Sequence, residues 1–223
     1  VIKGNSAVVD KYLEAIFYIS SEGEVVRPSR LASWLSVSPP TVTEALGRLR
    51  RDGWIDTELD RSVVLTVRGA AEAANLVRHH RILERWLTDV LGLDWATADE
   101  EADRLSSAIS DFLIERIDAS LNHPLTCPHG NVIPGRQAPY HDLVMLPDVV
   151  AGTSAIVRRI SEVAEHEART LLNRLSSVRI AEGTEVRVTD APDASDRIRL
   201  LVHGDVVTLE GADSRMIWVE ITA

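Results

Sequence analysis

The sequence predicts an α+β chain in three parts, helical in the first two and built of short strands in the third. Three observations carry this reading. Residues 1–70 run helix, helix, three-residue turn, helix and hairpin, the winged variant of helix-turn-helix. Two long helical patterns follow, ending near residue 120. From residue 151 onward, short β-rich runs surround one helix, which suggests a small β-barrel.

The first helix, SAVVDKYLEAIFYISSEG (6–23), is amphipathic through Val9, Leu13, Ile16 and Ile19. RPSRLASWL (27–35) is a short second helix that opens on Pro28, and Ser36, Val37 and Ser38 make the turn. In the third helix Pro39 and Pro40 fit only the first turn, where their missing N–H groups are not needed. Ser38 is its N-cap and Gly53 ends it. Val42, Ala45, Leu46 and Leu49 recur at i, i+3, i+4 and i+7 and bury one face, leaving Thr41, Thr43, Glu44, Arg48 and Arg51 on the other. WIDTEL and SVVLT, joined through Asp60 and Arg61, form the wing. Thr66 caps a helix over 67–91, and a second helix is expected over 96–120. NHPLTCPHGNVIPG (122–135) is a Pro- and Gly-rich loop, and 136–150 contains a linker. The β runs are SAIVRRI, TEVRVTD, IRLLVH, VVTLE and MIWVEIT, with the helix HEARTLLNRL between the first two.

At 223 residues, 45% hydrophobic and 26% charged, the chain has the composition of a soluble globular protein. No apolar run approaches the ~18 residues of a membrane span and no cleavable signal is present, so a cytoplasmic location is expected. A single cysteine, Cys127, excludes an intramolecular disulfide. The net charge of −10 argues at first against nucleic acid. Residues 1–70, however, hold 9 basic and 9 acidic side chains, so the whole deficit lies beyond them and the first part is the least repelled by a polyanion. No nucleophile elbow, Walker motif, dinucleotide fingerprint or H-E-x-x-H appears, and no enzymatic activity is expected.

On residues alone, the polar face of the third helix is either a solvated face or a reading face for DNA. His80 and Glu84, at i and i+4, could share one metal ion or form a hydrogen-bonded pair. Cys127 lies near His123, His129 and His141. Zinc, or a haem on the Cys-Pro pair, is one reading, but we take the stretch as a loop in which Pro and Gly fix a turn. Leu105, Ile109, Phe112 and Leu113 form an apolar stripe that a two-fold dimer would bury.

The stretches SPPTVTEALGRLRRDG, DRSVVLTVRGA, VRHHRILERWLTDVLGLD and CPHGNVIPG resemble the diphtheria toxin repressor and manganese transport regulator family of bacterial metalloregulators, the iron-dependent repressors. The resemblance covers nearly the whole chain. It implies a homodimeric transcriptional repressor with a winged helix-turn-helix unit (1–74), a helical dimerisation and metal-binding unit (75–145) and a Src-homology-3-like, FeoA-like unit (146–223). The partner it implies is an inverted-repeat operator in double-stranded DNA, with no membrane. By resemblance, Ser38, Pro40, Thr41 and Glu44 reach base edges, while Thr43, Arg48 and Arg51 face phosphates and Arg27, Arg30 and Arg61 extend the backbone contacts.

The resemblance also implies two metal sites. The ancillary site would take His80, Glu84 and Asp99, with Glu167 and Glu165 or His166 supplied by the third unit. Mn²⁺ or Fe²⁺ is the expected cofactor, with Co²⁺ or Zn²⁺ able to substitute in vitro. At the regulatory site the corresponding positions hold Lys11, Asp103, Ser106 and Ser107, with Glu14 nearby. That set departs from the family pattern, so no metal is expected there: either a Lys11–Asp103 ion pair takes its place, or Lys11 points to solvent and the pocket holds water. Two alternatives stand beside the repressor: a metal-independent regulator of the same fold, and a metal-binding protein or metalloenzyme that does not bind DNA.

Overall fold

Helix α1 (Ser6–Ser21), α2 (Pro28–Trp34) and α3 (Pro39–Arg51) open the computed structural model, which describes residues 6–163, 169–190 and 196–222. The local signals in α3 act as their chemistry requires. Ser38 Oγ accepts from Thr41 N at 3.4 Å, Pro39 and Pro40 lie in the first turn, and Gly53 leaves the helix at φ +75°. Val42, Ala45 and Leu49 are buried with Leu13, Ile16 and Ile19 of α1 in one core. The wing pairs β1 (Ile55–Thr57) with β2 (Val63–Leu65), antiparallel, and turns at Arg61, φ +66°.

α4 (Val67–Asp89) begins at Thr66, whose hydroxyl accepts from Gly69 N at 3.0 Å. A Cβ at Gly69 would lie 1.9 Å from Trp54 O, so only glycine lets the wing dock on this helix. Further along, α4 buries His79, His80, Arg81 and Glu84 among its apolar residues, a costly set unless each finds a partner.

The helix expected over 96–120 is in fact two, α5 (Trp95–Ser106) and α6 (Asp111–Ser120). Ser110 caps α6 by accepting from Leu113 N at 3.4 Å. Serines near a helix end compete for backbone groups, and here that competition breaks the helix. Ile82, Leu83 and Leu87 of α4 pack with Ala98, Ala102, Ile114 and Ile117 in the central core.

The third part is a six-stranded antiparallel sheet in the order β3-β8-β4-β5-β6-β7. The five expected runs appear as β4 (Ser154–Ile160), β5 (Glu185–Asp190), β6 (Arg197–Val202), β7 (Asp205–Glu210) and β8 (Ile217–Ile221). β3 (Val144–Met145) adds an edge from the segment read as linker. Alternation sets the core, as in β6, where Ile198, Leu200 and Val202 point inward. Register shifts at Val157/Arg159 and Val188/Asp190 mark bulges that bend the sheet around Leu171, Leu172 and Leu175 of α7 (Arg169–Ser177). A short α8 (Gly211–Ser214) joins β7 to β8. Among the described residues, no helix is long and apolar enough to cross a membrane.

Candidate metal centre and nucleic-acid interface

The N-terminal half of α3 presents Ser38, Pro40, Thr41, Thr43 and Glu44 to solvent, with Arg48 and Arg51 exposed behind them and Arg61 exposed on the wing. Arg30 is half-buried and Arg27 is exposed. Several of these groups already hold internal partners. Ser38 and Thr41 share a 2.8 Å hydroxyl hydrogen bond, and Thr43 donates to Pro39 O at 3.0 Å. Arg48 meets Glu44 at 3.1 Å, Arg30 meets Glu24 at 2.9 Å, and Arg27 meets Asp60 of the wing at 3.3 Å. Exposed pairs of this kind contribute little to stability, so a phosphate can displace the carboxylate.

Two of the buried polar groups of α4, Glu84 and His80, belong to separate clusters. Glu84 Oε1 lies 2.8 Å from His129 Nδ1, and Cys127 Sγ stands 4.0 Å from the same nitrogen. All three residues are buried, and one donor atom from each falls within 4.8 Å of the others. Burial pushes the Glu84 carboxyl up, but the His129, His80 and Arg81 charges outweigh it and hold it below the ordinary value. Among the described residues, Glu84 Oε2 has no hydrogen-bond partner. A buried anionic oxygen without a partner, beside a thiol and an imidazole, is a donor set that a divalent transition metal fits.

The loop that brings Cys127 and His129 to Glu84 is tightly built. Cys127 N donates to Asn131 O at 2.9 Å and Gly130 N to Cys127 O at 3.0 Å, closing a hairpin bridged at Thr126 and Val132. Gly130 has φ +84°, and a Cβ there would stand 1.8 Å from Arg158 O. Ile160 N donates to His129 O at 2.8 Å and Asn131 Nδ2 to Ile160 O at 3.0 Å, so the loop is fastened to β4. Trp95 closes the site from α5, its ring edge-on to His129 at 4.7 Å. Pro and Gly do fix a turn here, as the sequence suggests, but the turn also delivers two donors that the sequence reading left out of the ancillary site. The spacing Cys-x-His was the signal available for them.

The expected trio of His80, Glu84 and Asp99 is therefore divided. His80 Nε2 lies 3.4 Å from Asp99 Oδ1 and its Nδ1 lies 3.2 Å from Asp103 Oδ1, a second cluster of possible ligands. Burial works against the imidazolium, but hydrogen bonds to Asp103 and Asp99 and the Glu84 charge hold its pKa well above the ordinary value. Glu165, His166 and Glu167, expected as outer ligands, lie outside the described residues.

Lys11, Glu14, Asp103, Ser106 and Ser107 line one cleft of about 870 Å³ between α1, α2 and α5. Asp103 lies against the imidazole of His80, and the side chain of Lys11 is exposed, the arrangement of the second expectation for this site. Lys11 acts on Glu14, where burial, Asp103 and Asp10 together overcome the His80 and Lys11 charges and push the carboxyl up to about 7. Ser106 is buried and its hydroxyl donates to Asp103 O at 3.4 Å, while Ser107 caps α5.

The fold and its clusters coincide with known models in three consecutive stretches. Residues 6–63 match the iron dependent repressor N-terminal DNA binding domain, residues 66–135 the iron dependent repressor metal binding and dimerisation domain, and residues 144–221 the FeoA domain. The iron-dependent repressor IdeR of Mycobacterium tuberculosis is 32% identical over 208 residues, covering 88% of this chain and 90% of its own. The diphtheria toxin repressor of Corynebacterium efficiens is 33% identical over 209 residues, covering 90% and 89%. A manganese-dependent transcriptional repressor solved with manganese superposes with a TM-score of 0.84 at 30% identity, over 96% of this chain and 100% of that one. ScaR with bound Zn²⁺ superposes with a TM-score of 0.78 at 26% identity, over 95% and 98%. With a DNA-binding head, a metal-binding and dimerisation core and a FeoA domain in the same order, the chain belongs to the iron-dependent repressor family of transcriptional regulators.

Proposed function

We propose that this chain is a cytoplasmic, homodimeric repressor that binds an inverted-repeat operator and does so in response to a divalent transition metal held by Glu84, Cys127 and His129. The observation that carries the reading is the buried Glu84 carboxylate, with one oxygen lacking a hydrogen bond, facing a buried thiol and imidazole. A metal held by these three residues would tie the 126–132 loop to α4. Fe²⁺ or Mn²⁺ is the physiological ion we assign, with Co²⁺ as a spectroscopic substitute because a thiolate ligand gives it a charge-transfer band. His80, Asp99 and Asp103 form a second candidate site of harder donors. The working units are 1–74 for DNA, 75–145 for metal and dimerisation, and 146–223 for the closing β domain.

α3 enters the major groove in this reading. Thr41 and Glu44 face base edges near its N-terminus, and Arg48, Arg51 and the wing's Arg61 face the backbone. The test uses duplexes selected by the wild type from a randomised pool in Mn²⁺. Cys127→Ser should abolish the Co²⁺ charge-transfer band and cut metal-stimulated binding about tenfold or more. Arg48→Ala should weaken all duplexes alike and lower the salt slope by about one unit. Cys127→Ser with an unchanged Co²⁺ spectrum would refute the metal centre. Unchanged salt dependence in Arg48→Ala would refute the docking of α3.

A further inference from the structure

The metal loop and the reading head are joined by a chain of part-buried polar contacts running through β4. Arg159 Nε donates to Asn131 Oδ1 at 2.8 Å, at the end of the loop that carries Cys127 and His129. The same guanidinium forms an ion pair with Glu22, in the turn that ends α1, while lying 5.5 Å from the centre of the Trp218 ring. Glu22 Oε1 also accepts from Glu162 N at 3.0 Å. The Glu22 side chain is 9% exposed and that of Arg159 18%. Alongside runs Arg81 of α4, which donates to Val132 O, pairs with Glu162 and lies 6.0 Å from the centre of the Tyr18 ring of α1. Val163 completes the joint by packing on the N-terminal core.

We propose that Glu22 is the positioning residue through which the DNA-binding head senses the metal, by the relay Asn131–Arg159–Glu22. The proposal rests on the metal reading of Glu84, Cys127 and His129. Its physical basis is the geometric demand of the contacts. A guanidinium forks between two fixed partners, so constraining Asn131 constrains where Glu22 can sit. Glu22 closes the C-terminal end of α1, and α1 shares its core with Val42, Ala45 and Leu49 of α3. A loop held by the metal therefore favours one tilt of the reading helix, and a slack loop admits others. The relay works only if the head has two arrangements of nearly equal free energy and the metal favours one of them. Asn131 lies four residues beyond Cys127 and bonds to β4 through its side-chain amide, so it moves with the donors without being one of them.

The experiment is a double-mutant cycle on the metal effect. Wild type, Glu22→Gln, Arg159→Met and the double variant are each titrated with Co²⁺, reading the thiolate charge-transfer band. Each then binds the selected duplex in chelator and in saturating Mn²⁺. The ratio of the two affinities is taken on one preparation, so any misfolded fraction cancels. Wild type should show a ratio of about tenfold or more. Both single variants should keep the Co²⁺ affinity within about twofold and bring the ratio close to one, and the double variant should change it no further. Metal-dependent hydrogen-exchange protection at residues 16–21 should disappear in Glu22→Gln. Single variants with a wild-type ratio, or effects that add independently, overturn the relay alone. A wild type that shows no Co²⁺ charge-transfer band overturns the metal centre, and the relay with it.

Discussion

Replacing Glu14 by Gln should change how stability depends on pH in a way that no exposed carboxylate could. In the folded chain this carboxyl titrates near about 7, against 4.5 for the free group, because burial and the Asp103 and Asp10 charges oppose its ionisation. Below pH 4.5 the group is protonated whether the chain is folded or unfolded, and it imposes no penalty. Between 4.5 and about 7 the folded chain keeps a proton that the unfolded chain has released, so stability falls as pH rises. Above about 7 both states are ionised and the loss is complete. The shift of about 2.5 units corresponds to roughly 3 kcal/mol at about 1.4 kcal/mol per unit, an upper figure for a side chain that water still reaches. Gln keeps the shape and removes the titration. The assay is urea unfolding of metal-stripped wild type and Glu14→Gln at pH 4, 5.5, 7 and 8.5, taking the difference so that all other groups cancel. The variant should gain on wild type across this window by about 2–3 kcal/mol, and the gain should level off above pH 8. A difference that stays flat, or that grows as pH falls, would refute the assignment of a buried neutral carboxyl to this cleft.

Gly130→Ala should detach the metal loop from β4, since its Cβ would collide with Arg158 O and its φ of +84° disfavours any side chain. The expected cost is about 1–3 kcal/mol together with at least tenfold weaker Co²⁺ uptake, read by thermal unfolding and absorbance. Phe112, 77% exposed, stands with Leu105 and Leu113 on the surface of α5 and α6. Phe112→Glu should convert the dimer to monomer in sedimentation at micromolar concentration, and an unchanged sedimentation coefficient would reject this stripe as the interface.

The sequence made some elements legible because their signals are local. Ser38, the two prolines and Gly53 bound α3 within a few residues of one another, and alternation marks five strands of the β domain. The break at Ser107–Ser110 was hidden because apolar residues recur with helical spacing on both sides of it, and only the cap at Ser110 separates them. The candidate metal centre was half legible. His80 and Glu84 share a face of α4, but a rotation of about 40° between i and i+4 is enough to give each a different neighbour. His80 meets α5, and Glu84 meets a loop more than forty residues away. Cys-x-His marks a possible donor pair, but no helix periodicity links it to Glu84, and only the fold brings the two together.

If the first unit docks on DNA as proposed, its three ion pairs would also bear on how long the repressor stays there. Arg27, Arg30 and Arg48 each rest against a carboxylate, and the first 70 residues carry no net charge. Generic duplex therefore attracts this head weakly from a distance, because a phosphate must first displace Asp60, Glu24 or Glu44. On the proposed docking, dwell on a wrong sequence should be short, with frequent release and return rather than long slides, which single-molecule tracking on non-operator DNA would check. A correct site would recover that cost through the proposed base contacts near Thr41 and Glu44, making residence time rather than encounter rate the quantity that separates operator from bulk DNA. The carboxylates on this face would then work as a clock, ending each visit to a sequence that does not hold the protein.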